Sequence, residues 1–386
     1  MKISIKKDSL VTQVANVSRA IQSKATISIL TGIKIAATQS GLYLTGSDAE
    51  ISIESFLDKT NDAYDLTIED TGSIVVTASL FNDIIRKLPE DTVYLESNED
   101  NSILTITSGS AVFELMGQDG SQYPHLPEFD ETNKIPLPTK LFKELIDRTI
   151  FSASNQENRP YLTGLNLTVQ PTHLIGVATD SHRLSRRIIP VQIEESVIDF
   201  ESFTIPKKTV TELSRIVGDD EDLAMVVGNT QVIFLLEHTI IYSRLLEGNY
   251  PDTNRLIPTT SSTDIVLNSE IFHQALDRAS LISHQGKNNV VLLNIIDESV
   301  ELTVSGNERG QVFEKIQTKS VTGENLQISF NPDYMKEALR SFGGIDVKVQ
   351  FQSAVHPMLI SSEEPSDIPH NELLQLLTPI RTHHTY

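Results

Sequence analysis

The chain has 386 residues, Lys+Arg 31 against Asp+Glu 52, a formal net charge of −21, 39% hydrophobic residues, and neither Cys nor Trp. That length suits two or three domains, and Leu, Ile, Val and Phe spread along the whole chain exclude a disordered protein. Zero Cys excludes a disulfide scaffold, an iron–sulfur cluster, a thiolate zinc site and a cysteine nucleophile; Met1-Lys2-Ile3-Ser4-Ile5-Lys6-Lys7 opens no signal peptide and no stretch approaches the roughly 20 apolar residues of a membrane span, so a soluble cytoplasmic protein is expected.

The first predicted helix carries Val11, Val14, Ala15 and Ser18 at the i, i+3, i+4, i+7 spacing of one apolar face. Leu30-Thr31-Gly32-Ile33, Leu42-Tyr43-Leu44-Thr45 and Ser47-Asp48 follow in strand regions. A second helix takes Phe81, Ile84, Ile85 and Leu88, and Ile103-Leu104-Thr105-Ile106 reads as another strand. Tyr123-Pro124 opens a Pro-rich stretch, 124–138, that suits a domain joint.

The same series then recurs. Phe142, Leu145, Ile146 and Thr149 form the third helix face, starting near Pro138-Thr139. Leu162-Thr163-Gly164-Leu165 and Thr179-Asp180 repeat the first strand regions, and Val210, Leu213, Ser214 and Val217 give the fourth helix. Val232-Ile233-Phe234-Leu235 is a strand, Tyr250-Pro251 repeats Tyr123-Pro124, and residues 251–262 read as a second joint. The fifth helix, Phe272, Ala275, Leu276 and Ala279, starts after Asn268-Ser269. The sixth, Met335, Ala338, Leu339 and Phe342, starts at Asn331-Pro332-Asp333, which supplies a capping side chain, a first-turn Pro and an early acid. Ser305-Gly306-Asn307 is a looser third copy of Ser47-Asp48. Matching segments lie about 130 residues apart, in constant order, so the chain is a threefold repeat of an α+β unit with two helices and antiparallel sheets.

Charge divides along this pattern. Residues 6–24 hold Lys6, Lys7, Arg19 and Lys24 against Asp8, and residues 206–217 hold Lys207, Lys208 and Arg215 against Glu212. The six helix segments together are net basic in an acidic chain. The acidity argues against simple adhesion to nucleic acid or anionic membrane. A basic helical surface that enclosed DNA would need only weak, sequence-independent phosphate contacts. Lys and Arg on the solvated face of ordinary helices would give the same pattern.

Catalytic signatures are lacking. Ser181 and His182 lie in Ala178-Thr179-Asp180-Ser181-His182-Arg183-Leu184, but neighbours in a strand point to opposite faces, and no G-x-S-x-G surrounds Ser181. His383-His384 has no third clustered ligand and reads as a solvated tail. Glu194-Glu195, Asp219-Asp220 and Glu363-Glu364 read as solvated turns. No P-loop, dinucleotide fingerprint or H-E-x-x-H occurs, so no catalytic residue, metal or cofactor is expected.

The chain resembles the bacterial sliding clamp, the beta subunit of DNA polymerase III. The carriers are Ile29-Leu30-Thr31-Gly32, Thr45-Gly46-Ser47-Asp48, Arg159-Pro160-Tyr161-Leu162-Thr163-Gly164, the 178–184 segment, Ser243-Arg244-Leu245-Leu246-Glu247-Gly248, Tyr250-Pro251-Asp252 and Pro379-Ile380-Arg381-Thr382. The resemblance implies three clamp domains, 1–127, 128–255 and 256–386, and a head-to-tail homodimer closed as a ring of six domains around duplex DNA. It implies a processivity factor for DNA replication, with no catalysis of its own, loaded by a separate ATP-driven loader. By analogy, Phe113 and Leu115 would meet Leu281 and Ile282 of the second copy.

The family's partner pocket would comprise Leu162, Thr179, Ser181, His182, Arg183, Leu184, Pro251, Arg255, Leu256, Asn331, Tyr334, Met358, Pro379, Ile380 and Arg381. It receives short peptides with a Gln and Leu/Phe anchors from the replicative polymerase alpha subunit, clamp loader, repair polymerases and mismatch-repair proteins; no membrane partner is implied. For DNA the resemblance points to Lys24, Gln156, Pro160 and Tyr161, to which helix charge adds Arg86, Lys140 and Lys207. Ser79 stands where some relatives carry a basic DNA contact, Thr378 replaces an apolar pocket residue, and residues 382–386 run past the usual end. Two rivals stay open: a hydrolase or transferase at Ser181-His182, and an acidic three-domain scaffold that binds proteins but never DNA.

Overall fold

The computed structural model describes residues 1–198, 200–285, 289–307 and 310–381, with side chains left aside at 305–307. The His383-His384 tail therefore lies outside the described residues. Six α-helices occur among them: α1 (Lys7–Ser18), α2 (Ala78–Lys87), α3 (Thr139–Asp147), α4 (Lys207–Ile216), α5 (Ser269–Ser283) and α6 (Pro332–Arg340). None is long and apolar enough to cross a membrane.

By compactness the chain divides into two units, Met1–Thr139 with Arg215–Leu245 and Lys140–Ser214 with Leu246–Tyr386. The second repeat contributes strands to both. In the first unit a 13-stranded antiparallel sheet runs through the first repeat and continues across the pairing of Ile51–Asp58 with Thr239–Arg244. Ile51, Ile53 and Leu57 alternate inward along their strand, as the period of two requires. Helices α1 and α2 pack together. The buried face of α1 is Leu10, Val14 and Val17, one position away from the predicted Val11/Val14/Ala15/Ser18. The Ser18 hydroxyl instead donates back to the Val14 carbonyl at 2.6 Å.

The stretch 124–138 is not only a joint. Ile135–Leu137 is a short strand paired with Leu223–Val227, with Ile135 and Leu137 buried.

The second unit holds a nine-stranded and a four-stranded sheet, again antiparallel. Arg183–Pro190 pairs with Glu372–Leu377 and so joins strands of the second and third repeats in one sheet. Helices α5 and α6, with Phe342 just past the end of α6, bury Phe272, Ala275, Leu276, Ala279, Met335, Ala338, Leu339 and Phe342 in one core cluster, the two predicted faces in full. The Asn268 side chain caps α5, accepting from Glu270 and Ile271 amides, and Asn331 caps α6 by accepting from Asp333 at 2.9 Å. On α3 and the residues after it, Phe142, Leu145, Ile146 and Thr149 are all buried, and Ser214 of α4 donates to Asp147 at 2.9 Å.

The repeat is visible atom by atom. Gly32 and Gly164 each follow a 3-10 turn, Ser28–Thr31 and Pro160–Leu162, and open a strand. A Cβ on Gly164 would stand 2.1 Å from the Ile205 carbonyl oxygen, and one on Gly32 2.6 Å from a Val75 methyl, so neither position admits a side chain.

Candidate functional site

Residues 179–183 form a hairpin turn. The strand His173–Thr179 enters it and Arg183–Pro190 leaves it. Asp180 sets its shape: Oδ1 accepts from the backbone amides of His182 at 2.9 Å and Arg183 at 3.0 Å, which places Ser181 at φ 78°. Thr179 closes the turn by donating to the Arg183 carbonyl at 2.6 Å. Ser181 and His182 thus occupy an exposed turn, not a strand as expected, and the Ser181 hydroxyl accepts from Arg159 at 3.2 Å.

Two further segments converge here. Thr378 donates both its backbone amide and its hydroxyl to the His182 carbonyl, each at 2.9 Å. This residue, an apolar position in some relatives by the resemblance, is a polar clamp on the hairpin. The Ile380 amide donates to the Ser329 carbonyl at 2.7 Å, so Pro379 and Ile380 are held half-buried between the hairpin and the strand Leu326–Phe330. Tyr250 donates towards the Val177 carbonyl at 3.4 Å, and burial pushes its phenol far above the usual tyrosine range. Val177, Leu184, Leu359, Leu374 and Leu376 pack as one apolar cluster beneath, with Tyr250 and Ile257 against it.

Arg183 is the centre of the arrangement. Its Nε donates to Asp180 at 3.0 Å, its Nη2 to the Phe151 carbonyl at 2.7 Å, and its Nη1 pairs with Glu337 of α6. The guanidinium lies over the Tyr334 ring. All three of its nitrogens donate inside the protein, so Arg183 braces the site. Burial, and then the Asp180 charge, raises the Tyr334 phenol above its ordinary value.

Deeper in the same unit, Gln375 is buried and fully used. Its amide donates to the Arg148 carbonyl at 3.0 Å and to Ser341 at 2.9 Å, while its carbonyl accepts from Ser185, itself bonded to Ser152. This network ties strand Glu372–Leu377 to the ends of α3 and α6.

The remaining expected pocket residues fall into two groups. Leu256 is half exposed, and Pro251, Arg255 and Arg381 are exposed, with Arg255 paired to Asp252 at 2.9 Å. Leu162 and Leu184 are buried, Leu184 in the apolar cluster beneath the hairpin. Met358 is fully buried, within the α5–α6 core cluster. Asn331 spends its side-chain acceptor on capping α6.

Of the expected DNA contacts, Lys24, Arg86, Lys140, Gln156 and Pro160 are exposed and Tyr161 is half-buried against Gly248. Lys207 differs. It is half-buried, donates to Asn155 at 3.4 Å, and burial followed by the Arg183 charge pulls its ammonium below the usual lysine range. It is therefore less available to a phosphate than the others.

At the expected copy-to-copy contact, Phe113 is exposed but Leu115 is buried in its own unit, which corrects the second residue. Val112 and Met116, at 60% and 78% exposure, carry the apolar surface there, together with Leu281 and Phe313 in the other unit. Sequence reading missed Val112, Met116 and Phe313; the unalternated run Val112-Phe113 and Leu115-Met116 was the available signal. Ile282 is partly buried against the α5–α6 core. Among the described residues, no group of three or more His, Asp or Glu could hold a metal ion.

Family models for the DNA polymerase III beta subunit match the chain in three stretches: the N-terminal domain at residues 1–127, the central domain at 136–252 and the C-terminal domain at 254–375. The chain is 45% identical to the beta sliding clamp of Bacillus subtilis, covering 99% of this chain and 100% of that protein. It is 40% identical to the beta sliding clamp of Staphylococcus aureus, with 99% and 100% covered. Among solved structures, the sliding clamp of Bacillus subtilis matches with a TM-score of 0.94 at 44% identity, and the DNA polymerase III beta chain of Streptococcus pneumoniae with 0.93 at 39%. Both cover 99% of this chain and 100% of the matched one.

Proposed function

This chain belongs to the DNA polymerase III beta subunit family, the beta sliding clamps, and from that premise we propose that two copies close head to tail around duplex DNA and tether replication and repair proteins through the 179–183 hairpin site. It is a DNA replication sliding clamp, a processivity factor and not a catalytic subunit. We place its domains at 1–127, 128–255 and 256–386, which accords with the matched stretches and the repeat spacing, and its work in the cytoplasm.

The observation that carries the tethering reading is the braced hairpin. Thr378 and Ile380 hold the C-terminal segment beside Asp180–Arg183, over the apolar cluster of Val177, Leu184, Leu374 and Leu376. Such a floor suits a Leu or Phe anchor, and the turn and Arg255 offer polar groups that orient a peptide. The partners are the replicative polymerase, the clamp loader, repair polymerases and mismatch-repair proteins. Lys24, Arg86, Lys140, Gln156, Pro160 and Tyr161 face DNA, with Lys207 in a lesser part. Few cations give weak, salt-sensitive attraction, which permits sliding.

For the dimer, residues 111–116 pair on one side with Ile103–Ser108, while among the described residues the other side of this strand meets a partner only at 117–119. Gly310–Ile316 is the outer strand of its four-stranded sheet. Two open edges, each with exposed apolar residues, fit each other in a closed head-to-tail pair.

The test is topological. Loaded onto nicked circular DNA, the protein is retained at moderate salt and released when the circle is cut. Retention that ignores cutting rejects encirclement.

A further inference from the structure

We propose that the first compact unit carries a second peptide-binding site, in a cavity of about 370 Å³ beside Glu50 and Arg244, for a short peptide with apolar anchors and an acidic side chain. The proposal rests on reading the hairpin site at 179–183 as a peptide pocket.

The internal repeat builds the same frame twice. At the first site Asp180 Oδ1 accepts from the amides of His182 and Arg183, with Ser181 at φ 78°. In the first unit Asp48 Oδ1 accepts from the amides of Glu50 at 3.0 Å and Ile51 at 2.9 Å, with Ala49 at φ 76°. Thr378 donates its amide to the His182 carbonyl at 2.9 Å; Arg244 donates its amide to the Glu50 carbonyl at 3.0 Å. The strand registers agree, Arg183 opposite Leu377 and Ile51 opposite Ser243. Leu30 stands where Leu162 does, and Tyr123-Pro124 where Tyr250-Pro251 does.

What differs sets the ligand. Ile51, fully buried, replaces the bracing Arg183, so the apolar floor here needs no ion-pair network beneath it. Arg244 replaces the neutral Thr378 and is exposed at the cavity wall. Ile27 is 49% exposed on the same wall and gives a peptide anchor apolar surface to cover. Leu126 adds half-buried apolar surface, the largely buried Leu30 and Tyr242 back the cavity, and the volume falls within the range of small-ligand sites. A peptide that places Leu or Phe against Ile27 and Leu30 sets a flanking carboxylate on Arg244, where a charge-assisted hydrogen bond selects acid over base. Glu50 on the same rim rejects peptides whose acidic group falls on the other side.

The experiment is calorimetric titration of the full-length chain with a six-residue peptide carrying Leu and Phe anchors and one flanking Glu, against the same peptide with Lys in place of Glu. Two peptides bind per chain, the second at least tenfold more weakly. Ile27→Arg and Arg244→Glu each abolish the weak event and leave the strong one, and Ile380→Ala weakens only the strong one. The Lys peptide loses the weak event alone. Unchanged melting temperatures exclude misfolding of the variants. One peptide per chain, lost in Ile380→Ala, overturns this proposal and keeps the hairpin pocket. A single event lost only in Ile27→Arg keeps this site and overturns the hairpin pocket. No binding at all overturns both.

Discussion

The guanidinium carbon of Arg183 stands 4.3 Å from the centroid of the Tyr334 ring, and the same group pairs with Glu337 one turn further along α6. A residue of the second repeat is thereby fixed to a helix of the third. Its side chain is 10% exposed, as against 41% for Glu337 and 14% for Asp180. Arg183→Ala leaves Asp180 short of its counter-charge and the Phe151 carbonyl short of a donor. With Glu337 free to turn to water, the loss is expected at about 2–3 kcal/mol. Arg183→Lys restores the charge but not the fork of three donors, and recovers less than half. Chemical denaturation of the three proteins side by side checks this; a loss under about 0.5 kcal/mol in the Ala variant means the network contributes little.

How much of this could be read from residue order depends on how local each feature is. Ser47-Asp48 and Thr179-Asp180 are adjacent residues, so the repeat is legible there; that each Asp turns the chain shows only in the backbone amides it accepts from. The Arg183–Glu337 pair spans 154 residues, and nothing near either end announces the other. The face of α1 was misplaced because Leu10, Val11, Val14, Ala15 and Val17 satisfy helical spacing along two adjoining stripes; packing in the first unit decides between them. Leu115 was placed on a surface by analogy of position. Burial, which depends on the whole fold, sends it inward.

Ile380 gives the cleaner test of peptide binding, since Arg183 variants also lose stability. Its backbone amide holds the Ser329 carbonyl whatever the side chain. Ile380→Ala therefore keeps the segment in place and removes only half-buried apolar surface. A labelled Gln-x-x-Leu-x-Phe-type peptide is expected to bind it at least tenfold more weakly by fluorescence anisotropy, with stability within about 1 kcal/mol of the parent. Equal affinity would remove Ile380 from the pocket.

The open edge at 111–116 predicts the assembly state. Met116 is exposed enough that Met116→Asp costs the folded chain little, yet a carboxylate there would be buried without a partner in a closed dimer. Light scattering at micromolar concentration is expected to give twice 42.9 kDa for the parent and a shift towards 42.9 kDa for Met116→Asp. A parent that stays monomeric rejects the dimer; a variant that stays dimeric moves the interface elsewhere.

Glu54 links the first unit to pH. It accepts a hydrogen bond from Thr45 at 3.0 Å, but burial outweighs that bond and the Lys34 charge, so its carboxyl titrates above the ordinary glutamate range. The folded state therefore favours the protonated form. Its stabilising contribution is complete below the unfolded pKa and is lost as pH rises through the higher folded value. Glu54→Gln holds the neutral form at every pH and lets Thr45 donate as before. At neutral pH the variant is expected to be more stable than the parent, and the gap closes as pH falls below the unfolded glutamate pKa. Thermal melts of both proteins across that range read the difference directly. A variant less stable at neutral pH would show that the ionised carboxylate is used in the fold, and would reverse the sign of the argument.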